Sequence, residues 1–361
     1  MEQFLNTISN QKLWGAIIAS VGVILIGFLL AKFKILKQEG KGVINQVVLV
    51  ISLPALAFSG FMKTITIKAL IEQAVILASA FAFYIVLCAI SLLWVKFVKF
   101  DRKLSNTKIA KTLGGESVSE SKALVIWMML IFGSTTFFGL PIIEAVYGST
   151  GVLAANIWNI PYRIFLYSLC FMLMSGLKFN KANFSKSLRT ALLNPIVIAT
   201  FLGLIFWLSQ LIPGLQVEVQ KKTYGWFELS KTFPAIERIF AVLRSLASPL
   251  IWITIGMTLA TVPLKKAVTD KWVWIFVVMK LVLIPIIVLL MMLPLAKTGV
   301  ITKEVASSMV VFAAVPPSTV VIAYSSRYKM NEVYSAQCSA LSTLAAIVLM
   351  PLWIILLGVI F

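Results

Sequence analysis

The stretch FFGLPIIEAVYG, residues 137–148, lies in one of the most apolar parts of the chain and places Gly139, Pro141 and Glu144 close together. In a helix that must cross a membrane each of these is a cost. Glycine loosens the helix, proline removes a backbone donor and clashes with the preceding turn, and a carboxylate is expensive to hold in lipid. Three in so short a run point to a helix broken for a purpose, with the interruption expected within 138–142.

The surroundings of this stretch are membrane-like throughout. Of 361 residues 60% are hydrophobic, and the mean hydropathy is +0.99. The apolar residues fall in runs of about 20, the length that crosses the hydrocarbon core. The pattern predicts an all-α polytopic membrane protein with ten helices, at 13–34, 43–62, 69–95, 123–147, 150–175, 192–209, 240–261, 272–294, 305–325 and 334–360. The polar start leads into a full-length span, so no cleavable signal peptide is expected.

Composition also removes whole classes of chemistry. Histidine is absent, which excludes a His-based metal site or proton relay, and Cys88, Cys170 and Cys338 sit in apolar runs without CxxC spacing. There is no HExxH, no GxSxG elbow, no paired-aspartate motif and no Walker motif, so neither an enzyme nor an ATP-driven pump is expected. No cofactor is called for.

The net charge of +19 would suggest nucleic acid in a soluble protein, but here the basic residues interleave with spans. With the N-terminus outside, 20 Lys and Arg fall in inside loops and 10 outside, which favours both termini outside. The excess reads as topology and attraction to anionic lipid, not as a nucleic-acid surface. Segment 210–239, with Trp226, Phe227, Phe233 and Pro234, reads as an external interfacial loop. Loop 96–122 reads as a polar inside loop.

Five spans (1–175), a basic link (176–191) and five more (192–361) make two halves of opposite orientation. Pro54 in the second span answers Pro249 in the seventh, and Pro141 in the fourth answers Pro316 and Pro317 in the ninth. Prolines at corresponding places in two inverted halves are the sequence pointer to a transporter site. Backbone groups freed by a break must face protein or water, and half-helix N-termini suit anions.

At these residues the chain resembles the auxin efflux carrier family, related in fold to the bile acid/sodium symporters. The marks are LPALAFSG (second span), GSTTFFGLPI (fourth), NPIVIATFLGLIFW (sixth), SPLIWITIGMTLA (seventh), VPPSTVVIAY (ninth) and LSTLAAIVLMPLW (tenth). The resemblance covers nearly the whole chain. It implies two inverted five-helix repeats, with helices 4 and 9 broken and crossing, a homodimer, elevator-type alternating access, and organic anions such as malate, malonate or auxin as cargo. Family members often carry Asn where this chain has Ser134 and Val321, so those amide anchors do not transfer. Hydroxyls take their place: Ser134, Thr135 and Thr136 before one break, Ser318 and Thr319 after the other.

The fifth span adds Asn156, Asn159 and Arg163, spaced to share one helical face. Arg163 is either an anion clamp, matching a carboxylate with two parallel hydrogen bonds, or a structural partner of Glu144, or a snorkelling side chain. The expected substrate-binding set is therefore Ser134, Thr135, Thr136, Gly139, Pro141, Asn156, Asn159, Arg163, Pro316, Pro317, Ser318 and Thr319. Glu144 and Lys280 are the candidates to carry a coupling ion, against a solvated carboxylate and a snorkelling lysine respectively. Gln337, Ser339, Ser342 and Thr343 either line the cavity or hold helices together. The leading expectation is a secondary carrier of small organic anions; the alternatives are a carrier of amino acids or neutral solutes, or a sensor that keeps the carrier fold.

Overall fold

A computed structural model of the chain describes residues 11–104, 120–176, 185, 189, 192–261 and 264–361. The expected link 176–191, the middle of the 96–122 loop and the N-terminal tail lie mostly or wholly outside the described residues. The main helices among the described residues are α1 (Gln11–Lys32), α2 (Gln38–Ser59), α3 (Ile67–Leu104), α4 (Glu120–Ile131), α5 (Thr135–Ser175), α6 (Pro195–Ser209), α7 (Pro234–Leu259), α8 (Lys271–Lys297), α9 (Lys303–Ala313), α10 (Thr319–Arg327) and α11 (Glu332–Ile360). Among the described residues six helices are long and apolar enough to cross a membrane: α2, α3, α5, α7, α8 and α11. Shorter apolar helices cover Ile18–Lys32, Ser121–Ile131 and Pro195–Ser209. The sequence-based spans at 123–147 and 150–175 meet within α5, where Gly148 adopts φ 57°, ψ −152° and divides it into arms 135–147 and 149–175. Glycine tolerates that backbone where a side chain would be strained.

Among the described residues three helices contain a π turn that ends two residues before a proline: Val48–Ser52 before Pro54, Thr135–Gly139 before Pro141, and Met279–Leu283 before Pro285. A proline cannot donate to the carbonyl four residues back, and a widened turn absorbs its ring without ending the helix. The interruption expected within 138–142 is therefore not there. Gly139 and Pro141 stay helical, and the chain leaves the helix upstream, at 132–134. The second interruption, at 314–318, falls where Pro316 and Pro317 predict it.

Two helix groups can be distinguished by packing. One is α1, α2, α6 and α7; the other is α3, α4, α5 and α8–α11. Within the first, Gly27 and Gly256 let α1 and α7 touch backbone to backbone: a Cβ at Gly256 would lie 2.1 Å from the Ile24 carbonyl oxygen. Small residues at such crossings are the usual basis of close packing in lipid, where no hydrophobic drive remains.

Segment 210–239, expected as a loop, is more ordered than that. It contains an antiparallel hairpin, β1 (Gln216–Val219) with β2 (Lys222–Gly225), turned at Gln220 and Lys221, both at positive φ. That is the backbone two-residue hairpins favour, and the Val217/Val219 alternation is its sequence trace. Helix α7 also starts at Pro234, earlier than expected. Gln210 secures the α2–α3 link: its Nε2 donates to the Lys63 carbonyl (2.9 Å) and its Oε1 accepts from the Ile65 N–H (2.9 Å).

Candidate functional site

The two interruptions meet. Gly133 and Pro317 form an isolated antiparallel bridge, in which Ser134 N–H donates to the Pro316 carbonyl (2.7 Å) and Ser318 N–H to the Phe132 carbonyl (2.9 Å). Backbone groups that a break would leave unpaired in an apolar interior are thus paired across the crossing. Ser318 caps α10, its Oγ accepting from Val320 N–H (3.3 Å). Tyr162 braces the same point, its hydroxyl donating to the Gly133 carbonyl (2.7 Å) and lying 3.2 Å from Ser318 Oγ.

Beside this crossing is a cavity lined by Leu49 of α2, by Ser134, Thr136 and Phe137, by Tyr162, Arg163, Leu166 and Tyr167 of α5, by Asn194 and Ile196 at the start of α6, and by Ser318, Thr319 and Val320. Both helix groups contribute walls. Arg163 is 5% exposed. Its Nη1 donates to Thr200 Oγ1 of α6 (2.9 Å), and that hydroxyl in turn donates to the Ile196 carbonyl (2.7 Å). Its Nη2 is buried with no hydrogen-bond partner. Among the described residues no carboxylate forms an ion pair with it. An unpaired guanidinium nitrogen in a dry site is expensive, and an anionic oxygen is the ligand that would offset it.

Of the sequence-predicted residues, Ser134, Thr136, Arg163, Ser318 and Thr319 line this cavity. Thr135 and Asn159 stand together behind it, Thr135 Oγ1 donating to Asn159 Oδ1 (2.9 Å) while Asn159 Nδ2 is buried without a partner. Asn156 instead reaches α2, its Nδ2 donating to the Ala57 carbonyl (2.8 Å). Pro316 and Pro317 contribute backbone to the bridge. Gly139 packs on Phe312, whose ring a Cβ there would meet at 2.7 Å, and neither Gly139 nor Pro141 is part of the cavity lining.

Two expectations change. Glu144 does not partner Arg163: it faces Arg244 of α7 at 4.0 Å, and Arg244 is also 3.4 Å from Glu237. Lys280 does not snorkel. At 1% exposure it lies inside the bundle, where its Nζ donates to the Leu130 carbonyl (2.8 Å). The tenth residue of α8 is too far from either helix end for its side chain to reach a surface. In α11 the Ser342 hydroxyl donates to the Cys338 carbonyl and Thr343 to the Ser339 carbonyl, so both are satisfied within their own helix. Sequence reasoning overlooked Tyr162, Tyr167, Asn194 and Thr200. Tyr162 was findable, since it follows Asn159 by three residues on the same face.

Helices interrupted inside an apolar bundle, paired through backbone and set beside a polar cavity that two helix groups share, are the anatomy of a membrane transporter. The chain belongs to the membrane transport protein family, that of the auxin efflux carriers, whose family model matches residues 14–354. Members of this family are transporters rather than enzymes. No curated protein matches the chain.

Proposed function

We propose that the protein is a secondary carrier of small organic anions, carboxylates of the malate, malonate or auxin-like kind, bound in the cavity beside the crossing. The observation that carries this reading is Arg163. Its buried Nη2 has no partner, it borders a cavity with the hydroxyls of Ser134, Thr136, Ser318 and Thr319, and among the described residues no acid pairs with it. A carboxylate would take the free nitrogen and accept from the hydroxyls.

Alternating access of the elevator type is supported by the division into two helix groups, with α3–α5 and α8–α11 as the moving body and α1, α2, α6 and α7 as the frame. The cavity lies on their seam, where movement of one group would change which side it opens to. The inverted repeat is supported by interruptions at 132–134 and 314–318, one in each half. The homodimer and the outside position of both termini stay with this proposal, on the family resemblance and the distribution of basic residues.

Counterflow in proteoliposomes tests the reading. Labelled mono- and dicarboxylates are offered with and without sodium and proton gradients, in parallel with labelled amino acids. Saturable counterflow of a carboxylate, abolished in Arg163→Gln, is expected. Counterflow of amino acids alone would replace this reading with that of a neutral-solute carrier.

A further inference from the structure

The fate of one carbonyl leads to a second role at the crossing. In an uninterrupted helix the Leu130 carbonyl would accept from the Ser134 N–H, four residues on. Here that N–H is diverted to Pro316, so the break itself frees the Leu130 oxygen. This oxygen sits at the C-terminal end of α4, where carbonyls carry the negative end of the helix dipole. Lys280 Nζ takes it at 2.8 Å. The fit is close: a Cβ added at Gly133 would lie 3.1 Å from that nitrogen. Among the described residues no carboxylate pairs with Lys280, and its Nζ meets the end of α4 through the Leu130 carbonyl.

In transporters built on broken helices, freed carbonyls and half-helix C-terminal ends are where sodium ions or protons bind. We propose that Lys280 is a tethered cation occupying such a position, so that the wild-type crossing needs no monovalent cation from solution, and that removing its side chain opens a site for a small cation. This deepens the carrier reading, but its binding consequences hold whether or not the cargo is an anion.

The experiment compares thermal unfolding of purified wild type, Lys280→Ala and Lys280→Met in choline, sodium, potassium and methylammonium chloride at equal ionic strength. Wild type is expected to unfold at the same temperature in all four. Lys280→Ala is expected to be less stable in choline and to regain stability saturably with methylammonium or sodium, as linkage requires of a ligand that binds only the folded state. Lys280→Met fills the space without charge and is expected to be destabilised and indifferent to the salt. Saturable stabilisation of wild type by sodium would overturn the proposal, as would a Lys280→Ala that responds to no cation. A Lys280→Met as stable as wild type would overturn it too, because the charge would then be dispensable. Should Lys280→Ala fail to fold, the wild-type and Lys280→Met arms still decide. Uptake is measured separately: absence of carboxylate uptake in wild type would fault the carrier reading and leave the cation result standing.

Discussion

Arg163 stands on the seam between the two helix groups and Lys280 inside one of them, and among the described residues neither of these buried basic side chains has a carboxylate partner. Lys280 Nζ ends on a carbonyl that the break in the helix has freed, and that carbonyl regains a donor. Arg163 is used at one terminal nitrogen, Nη1, on Thr200 of the opposing group, while Nη2 has no acceptor. A charge that completes a structure and a charge that waits for a ligand can be told apart in this way, by asking which terminal nitrogen has an acceptor and which has none. The prediction is that stability is held at one and binding at the other.

The largest expected effect tests the binding side. Arg163→Gln should weaken carboxylate binding by roughly 30-fold to several thousand-fold, the equivalent of about 2–5 kcal/mol for a charge-assisted pair in a dry site. Arg163→Lys should fail to rescue, since a point charge lacks the planar fork. Thermal stability should be kept, because the substitution removes a buried charge and, among the described residues, breaks no ion pair. Equilibrium binding and unfolding measured on the same samples check both halves. A variant that binds normally, or that loses stability before binding, would dissolve the contrast with Lys280.

The structural side is tested at Gly133. A Cβ there would lie 2.5 Å from Val315 Cγ2 and 3.1 Å from Lys280 Nζ, so alanine must push apart the two segments that the bridge joins. Gly133→Ala should lower stability by roughly 1–3 kcal/mol, the range for overpacking a filled interior. Chemical denaturation is the measurement, and unchanged stability would mean that the crossing is looser than its hydrogen bonds imply.

Much of this was legible in the sequence, and the failures have a common cause. Composition announced a membrane protein, and proline positions announced that two helices are interrupted. Pro316 and Pro317 marked their break correctly, yet Pro141 misplaced the other by several residues. A proline shows only where a donor is missing, and the π turn at Thr135–Gly139 absorbs that loss. The true break lies where Ser134 N–H finds a better acceptor on another segment, and no local pattern records such a diversion. Thr200 and Asn194 escaped for the same reason, since they meet Arg163 and the cavity across from a different helix. The reading that set Glu144 against Arg163 failed because its partner, Arg244, is 100 residues away on another helix, an approach that no local pattern records.

That corrected pair supplies a smaller effect on the seam. Glu144 and Arg244 are 4.0 Å apart and each keeps about a third of its side chain exposed, so solvent screens them. Glu144→Gln should change stability by no more than about 0.2–1 kcal/mol. If Glu144 instead carried the coupling proton, its substitution would abolish proton-driven uptake while leaving counterflow intact, and transport in the two modes distinguishes the cases. Equal effects on both modes would leave it as a seam contact.

The smallest effect concerns Lys63, in the link between α2 and α3, where the chain passes from one helix group to the other. Its Nζ donates to Thr150 Oγ1 (2.7 Å). Partial burial lowers its pKa, and Glu304 and Glu72 only partly restore it. The sign follows from linkage. A lysine whose folded pKa lies below its unfolded value binds its proton less tightly when folded, so it disfavours folding while both states are protonated. That disadvantage diminishes as pH rises through the folded pKa toward the ordinary lysine value. Lys63→Gln keeps a donor for Thr150 without the charge, and should therefore be slightly more stable than wild type at neutral pH. Its advantage should shrink in alkaline buffer. Unfolding temperatures of both proteins across the alkaline range give the difference directly. A gap that widens with pH would mean that attraction to Glu72 and Glu304 outweighs burial, and that the link is held by charge rather than by the Thr150 hydroxyl.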